Sequence, residues 1–394
     1  MRSAVACDVA VIGAGLAGLW AARSLAQRGL RVALVEAERA VDARVRTTGI
    51  FVRRTLEDFE MPAGTLGEPI RRVVLYSPKR RALELTSNRD EFRVADMRAL
   101  SRALLRDCLR SGVMWLPGAR YGGLCAAGCC VCLELGTRRL DVAARFIVGA
   151  DGARSRVAAD LGLSRNTRFI VGTEDVYQGC ATSAPALHCF LDPDNAPGYI
   201  AWVAHDGALA HVGVGGNPAR FNAQTALLRF TRLLSGFLDV AGAERIERRA
   251  GLIPVNGVLE RIACARGLLV GDAAGAVSPL TAGGLDACLR LSEFAAHAAA
   301  CALSGHPGAL APYRGSSFEG RIATRRWMRA AFDAAGPPAL ELACTILRFP
   351  LARFLAERFF FGQGSFPNAP ASDAAVAGGA WQPAHAVGAL NTTH

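Results

Sequence analysis

Gly13, Gly15 and Gly18 stand at the end of the apolar run Val9 to Ile12, in the spacing that lets backbone N–H groups face a pyrophosphate. Each has a separate task. Gly13 makes the tight turn from strand to helix, Gly15 lets the backbone approach the phosphates, and Gly18 lets the helix lie close on the strand. Leu16 and Ala17 open that helix, whose free N–H groups would meet the anion. A second apolar run, Val32 to Val35, ends on Glu36, 23 residues after Gly13, where a carboxylate can accept hydrogen bonds from an adenosine ribose. A glycine-rich turn with no ligand would leave Glu36 unexplained. Ala37 and Arg44, just beyond, are grouped with these cofactor-binding residues.

A distant segment, Leu268 to Leu285, decides which dinucleotide is meant. Leu268 to Val270 reads as a buried strand ending in Gly271-Asp272, followed by Ala273, Ala274 and Gly275, then Pro279 and Gly283-Gly284, with Leu285 opening a helix. Only small side chains let a backbone lie against a bulky cofactor. Asp272 can hold ribityl hydroxyls, and the next helix can point its positive end at the ring carbonyl. NAD has no ribityl chain to be held, so the expected cofactor is FAD. The competing reading is an Asp272 that only caps its turn.

Between these segments lies Gly149-Ala150-Asp151-Gly152-Ala153-Arg154-Ser155-Arg156. It resembles the DG motif of flavoproteins with the hydroxybenzoate hydroxylase fold, and all three motifs come in that group's order. Within the group, GDAAG followed by SPLTAGGL resembles the geranylgeranyl reductase family more than the ring hydroxylases, which usually carry a histidine where Gly275 stands. The stretch from Gly198 to His205, with Tyr199 and Trp202, then seven residues, then Gly213-Val214-Gly215, is similar to that family's substrate-pocket signature. Ala204 and His205 replace its Phe-Pro pair. Thr48 stands roughly where many of these reductases have a cysteine. Arg98, at the start of a helix, resembles this group's phosphate-reaching arginine, against the simpler reading of a surface helix residue. The resemblance covers residues 5 to 300 and implies two cofactors, resident FAD and NAD(P)H as a transient visitor.

The fold class expected is α/β: a Rossmann-like FAD-binding domain interleaved with a β-sheet substrate domain, plus C-terminal helices. Residues 1–67, 96–164 and 251–304 are assigned to the first, and 68–95 and 165–250 to the second. Within 68–95 three short strands, Arg71 to Tyr76, Ala82 to Thr86 and Phe92 to Val94, are expected to join a separate sheet. A helix runs from Arg98 to about Ser111, a strand meander from 113 to 148, and another helix from Pro218 to Leu238. Residues 305–361 form a helical segment broken at Pro337-Pro338. The stretch Leu340 to Phe361 reads as a helix apolar on one side, packed on the substrate domain, with a pocket lid or a peripheral membrane contact as the functional alternatives. The tail 362–394, rich in Ala, Gly and Pro, is expected to be disordered.

A chain of 394 residues with 51% hydrophobic content can bury a large core. The formal charge of +11 comes almost wholly from arginines spread along the chain, since Lys79 is the single lysine, and this argues against a nucleic-acid footprint. Arg321, Arg325, Arg326 and Arg329 cluster, but as a solvated helix face. Arg2 and the apolar stretch after it belong to the dinucleotide strand, not to a secretory leader. No run of 18 apolar residues could span a membrane. The 12 cysteines are expected to be reduced thiols in a cytoplasmic protein, with contact at the inner membrane face left open. Cys125, Cys129, Cys130 and Cys132 lie close together, but strand alternation separates them and no metal is expected.

No second strand-GxGxxG-helix unit occurs, so NAD(P)H would have no domain of its own. The preferred reaction is reduction of a double bond in an apolar, isoprenoid-like small molecule. Hydroxylation by an FAD monooxygenase is the alternative, and a non-redox or electron-transfer flavoprotein the third reading. Tyr199, Trp202 and His205 are the pocket candidates. No catalytic acid is assigned, and the oligomeric state is left open.

Overall fold

The computed structural model describes residues 5–125, 130–180, 184–235 and 242–361. The chain opens on β1 (Val5–Ile12), α1 (Leu16–Gln27) and β2 (Val32–Glu36), then runs through β3 (Ile50–Val52), α2 (Arg53–Asp58), β4 (Arg72–Tyr76), β5 (Ala82–Thr86) and β6 (Phe92–Val94). After α3 (Met97–Arg110) come β7 (Met114–Pro117), β8 (Arg120–Leu124), β9 (Cys130–Leu135), β10 (Arg138–Gly149) and α4 (Arg156–Asp160). Next are β11 (Phe169–Gln178), β12 (Ala186–Phe190), β13 (Ala201–His205), β14 (Leu209–Gly216), α5 (Ala223–Leu233) and β15 (Glu244–Pro254). The chain continues with β16 (Ala263–Cys264), β17 (Gly267–Leu269), α6 (Leu285–Leu303), α7 (Glu319–Ala334), α8 (Pro337–Ile346) and α9 (Pro350–Phe360).

Two large sheets organise these elements. The first has the order β16-β17-β10-β1-β2-β7, with β9 and β8 continuing from β10; its central pairs are parallel. Central parallel strands are covered on both faces, which is why Val9, Ala10, Val11, Ala33, Leu34, Ile147 and Val148 form near-continuous apolar runs and are all buried. Each of the valine, leucine and isoleucine side chains contributes about 1.5–3 kcal/mol by leaving water. The second sheet has the order β15-β11-β14-β13-β12-β4-β5 and is antiparallel except between β12 and β4.

Helices seal the first sheet. Asp96 starts α3 by accepting hydrogen bonds from the N–H groups of Arg98 and Ala99, both at 3.0 Å, and Met97, Leu100, Leu104 and Cys108 bury one face at helical spacing. Helix α1 packs on α6, where Trp20 and Ser24 donate to the carboxylate of Glu293.

Several expectations need correction. β6 leaves the sheet of β4 and β5 and pairs with β3 in a two-stranded ribbon, because Ile50 and Val52 lie opposite Val94 and Phe92. β7 is no part of the meander, since it lies parallel to β2. Helix α5 begins at Ala223, where the Asn222 side chain accepts from Thr225 N–H, and Pro218 precedes it. The segment from Leu340 to Phe361 is two helices, because Pro350, which cannot donate a main-chain hydrogen bond, starts a new one. Two of the α7 arginines leave the solvated face expected for them: Arg329 is buried against Asp333, and Arg326 donates to the carbonyls of Asn256 and Val258. Cys129 and the tail 362–394 lie outside the described residues, among which no group of side chains is arranged to hold a metal.

Candidate functional site

A single cavity of about 1540 Å³ runs between the two sheets. Single-ligand pockets occupy roughly 300–1,000 Å³, so this one has room for a dinucleotide and a second molecule. Gly13, Gly15, Leu16, Ala17, Glu36, Ala37, Arg44, Thr48, Arg98, Asp151, Asp272, Gly283, Gly284 and Leu285 line it, as do Tyr199 and Trp202. Pro279 does not. It is buried behind the wall, beside Gly257. His205 is also absent from the lining: it closes the turn after β13, where its Nδ1 accepts from Gly207 N–H at 3.3 Å. Burial holds the His205 imidazole below its ordinary pKa despite the neighbouring Asp206.

The glycine turn has the geometry a phosphate needs. Gly13 has φ +101°, and a Cβ there would lie 2.4 Å from the Ala150 carbonyl oxygen. A Cβ on Gly18 would meet the Gly13 oxygen at 1.8 Å, so only glycine lets α1 lie this close to β1. Gly15 differs: a Cβ would meet nothing within 4 Å, because it would point into open space. Glu36 braces the same turn, with Oε2 accepting from Ala14 N–H at 2.8 Å and Oε1 from Glu38 N–H at 3.0 Å.

Beside the start of α1, Gly271 and Asp272 begin a single 3₁₀ turn that ends at Gly275. A Cβ on Gly271 would lie 2.7 Å from the methyl group of Ala17, so the turn is pressed against the start of α1. Asp272 is deep in the molecule yet accessible, because its carboxylate faces the cavity; no described residue donates a hydrogen bond to it. Burial raises its pKa to about 6, opposed by Arg46. An acceptor held this deep with no internal donor is suited to the hydroxyls of a ligand. Gly283, Gly284 and Leu285 bring the N-terminal end of α6 to the same wall.

Asp151 and Arg98 sit on the cavity but are largely occupied. The Asp151 carboxylate accepts from the Ser155 hydroxyl and from the N–H groups of Arg156 and Val157, closing the DG turn. The Arg98 guanidinium is held by the Asp42 carbonyl and by Glu247, at 2.6 Å.

On the second sheet, the GxG of β14 is explained by the rings opposite. A Cβ on Gly213 would sit 2.2 Å from the Trp202 indole, and one on Gly215 would sit 2.6 Å from the Tyr199 ring. Both rings therefore pack against bare backbone, nearly edge to face with each other at 73°, and Tyr199 OH donates to the Thr281 carbonyl at 2.6 Å. Trp202 Nε1 donates to Glu174 Oε2 at 3.1 Å, and the Thr48 hydroxyl donates to the same oxygen.

Glu174, His211 and Arg249 were not among the sequence candidates. Only His211, set among apolar and glycine residues of β14, carried a signal; Glu174 stands between Thr173 and Asp175, and Arg249 lies in the charged half of β15. Burial would raise the Glu174 pKa, but His211, Thr48 and Arg249 outweigh it and hold the carboxyl below its ordinary value. Burial likewise opposes charge on His211, yet Asp206 and Glu174 raise it to about 9.

Comparison with known proteins bears on the fold and the cofactor. The family model for FAD-dependent oxidoreductases matches residues 8–88, and that for the FAD-binding domain matches residues 130–309. A digeranylgeranylglycerophospholipid reductase of Methanopyrus kandleri is 31% identical over 306 residues, covering 74% of this chain and 80% of the relative. The crystal structure of a geranylgeranyl bacteriochlorophyll reductase-like protein from Thermoplasma acidophilum superposes with a TM-score of 0.80 at 19% identity, covering 90% of this chain and 96% of that one. A flavin-dependent brominase superposes with a TM-score of 0.70 at 15% identity, covering 93% and 97%.

Proposed function

The chain belongs to the geranylgeranyl reductase family of FAD-dependent oxidoreductases, and from that premise we propose that it saturates carbon–carbon double bonds in an isoprenoid-like lipid, with NAD(P)H recharging the flavin. One observation carries the reading: the cavity is continuous from Gly15 and Glu36, past Asp272, to the rings of Tyr199 and Trp202. When bound, FAD would supply the hydride for such a reduction. This chain's residues do the rest. The Gly15 turn and the N-terminus of α1 hold the pyrophosphate, Glu36 the adenosine ribose and Asp272 the ribityl hydroxyls. The N-terminal end of α6 offers partial positive charge to the ring edge. Tyr199 and Trp202 form an apolar wall on which a prenyl chain can lie.

The chemistry is tested by reducing the holoprotein with NADPH or NADH under nitrogen and then adding a geranylgeranyl lipid. Bleaching, followed by lipid-dependent recovery of the yellow colour, is expected. Recovery only when air is admitted, with an absorbance of the flavin-hydroperoxide type, would favour oxygen transfer instead. Replacing Trp202 with alanine should leave flavin content unchanged and slow lipid turnover by roughly tenfold or more, because the substrate loses its positioning surface. Loss of flavin from that variant would make Trp202 a scaffold residue.

The same reading includes a lipid source. Among the described residues no helix is long and apolar enough to cross a membrane. The consecutive helices α8 and α9, however, expose Leu342, Ile346, Phe349, Leu351 and Leu355, with Leu351 75% exposed. Arg348 and Arg353 flank this face, and Phe360 at its end lines the cavity. This pattern suits a helix pair resting on an anionic lipid surface beside the entrance. The wild-type protein should sediment with vesicles containing phosphatidylglycerol, and the F349E/L351E double variant should not. Equal sedimentation of the two would contradict the membrane contact.

A further inference from the structure

The register of the second sheet lays one row of residues across its cavity face. Glu174 stands opposite Gly213, Gly213 opposite Trp202, Trp202 opposite Cys189, and Cys189 opposite Leu75. Residues directly opposite one another share a face, so the row crosses β11, β14, β13, β12 and β4 in that order. Its chemistry changes along the way. Glu174 is charged and bonded to Thr48, Trp202, His211 and Arg249, whereas the row is apolar from the Trp202 ring onward. The small Cys189 leaves the floor open between Trp202 and Leu75, which are two strand spacings or about 10 Å apart. The cavity lining stops at Leu75; Leu83, next in the row on β5, borders a separate surface cleft. Helix α9 covers this end, with Ala356, Phe360 and Phe361 packed into the same apolar cluster as Cys189 and Leu75. Arg53 and Glu91, the charged residues beside Val52 and Phe92 on the cavity wall, are bonded to each other at 3.1 Å.

We propose that the trough from Trp202 to Leu75 takes the tail of the prenyl chain, and that Cys189 and Leu75 set the longest chain the protein reduces. The headgroup stays on the Glu174 side of Trp202, because a charged group carried to Leu75 would be buried without a partner. The hydrocarbon end meets no such penalty. A double bond then reaches the flavin only when the chain beyond it fits between the Trp202 indole and the Leu75 wall. Cys189 matters through its size, since a large side chain there would close the trough halfway along. Leu75 matters as its end, with Leu83 behind it and α9 above. This ruler rests on the reductase reading, and a comparison of chain lengths separates the two.

Holoprotein reduced with stoichiometric dithionite under nitrogen is mixed with the geranyl, farnesyl or geranylgeranyl ether of one glycerol phosphate, and recovery of the flavin absorbance is followed. Each protein is scored by its rate with a longer lipid divided by its rate with the geranyl lipid, so that a general loss of activity cancels. One methylene too many in an apolar pocket is typically worth ~10–200-fold in selectivity. C189W fills the trough one strand spacing from Trp202, so its farnesyl and geranylgeranyl ratios should both fall by about tenfold or more. L75W fills it two spacings away, so its geranylgeranyl ratio should fall by about tenfold or more while its farnesyl ratio keeps the wild-type value. Wild-type ratios in both variants would overturn the ruler while leaving the reductase reading intact. So would an L75W protein that rejects the farnesyl lipid as strongly as C189W does. A wild-type protein that none of the three lipids reoxidises would overturn the reading, and the ruler with it. Should a tryptophan variant fail to fold, C189F and L75F repeat the comparison with the same expected order.

Discussion

Replacing Gly15 with valine should yield a folded protein that has lost its yellow colour. A side chain at this position would meet no protein atom within 4 Å, so the fold has nothing to resist it. The same side chain would project into the cavity between the α1 N-terminus and Asp272, where the pyrophosphate is proposed to lie. Overpacking a close contact costs about 1–3 kcal/mol, so FAD affinity should fall about 10- to 100-fold while the melting temperature of the apoprotein stays at the wild-type value. Gly18 is the control. A Cβ there would lie 1.8 Å from the Gly13 oxygen, so Gly18→Ala should lower the apoprotein's own stability. If G15V retains full flavin, the phosphates do not pass this turn; if it unfolds like G18A, the open space beside Gly15 is not a ligand channel.

Asp272→Ala is expected to have a comparable effect for a different reason. The carboxylate takes no hydrogen bond from the described protein, so its worth lies in the ligand it meets. Hydrogen bonds to a charged group contribute about 1.5–3 kcal/mol, so FAD binding should weaken by roughly tenfold or more in titrations of the apoprotein. A pH signature accompanies this. Burial has raised the Asp272 pKa to about 6, so the ionised acceptor is fully present above that value and is lost as pH falls through it. Wild-type FAD affinity should therefore drop on acidification through pH 6, and the D272A titration should lack that step. An unchanged affinity in D272A would return Asp272 to the role of a turn residue.

Much of this site was legible in the residues because local rules govern it. The strand, glycine turn and helix of residues 8–29 follow from main-chain sterics, and the small residues from Gly271 to Gly275 follow from the need to press a turn against α1. The GxG of residues 213–215 was legible as a motif, but its physical reason, bare backbone beneath two aromatic rings, required knowing that β13 and β14 are neighbours. His205 was misplaced by similar logic. It is in the same strand as Trp202 but three positions on, so alternation sends it to the opposite face, while His211 on the next strand reaches Glu174. Pro279 was close in sequence to the lining residues, yet the backbone turn carries it behind the wall. The pairing of Glu174 with His211 and Arg249 was not legible, because it joins residues from β11, β14 and β15, and only the register of the second sheet brings them together. In the C-terminal segment apolar periodicity suggested one helix, and the break at Pro350 was a local signal overlooked.

The most direct test of the account follows the substrate. Holoprotein, reduced under nitrogen in deuterated water, is incubated with a geranylgeranyl lipid and the product is weighed by mass spectrometry. Gain of two hydrogens per reacted double bond, both of them deuterium because reduced flavin exchanges its transferable hydrogen with solvent, and none accompanied by oxygen, is the predicted result. A product that carries an added oxygen or halogen once air or halide is present, with no saturated lipid formed under nitrogen, would contradict it.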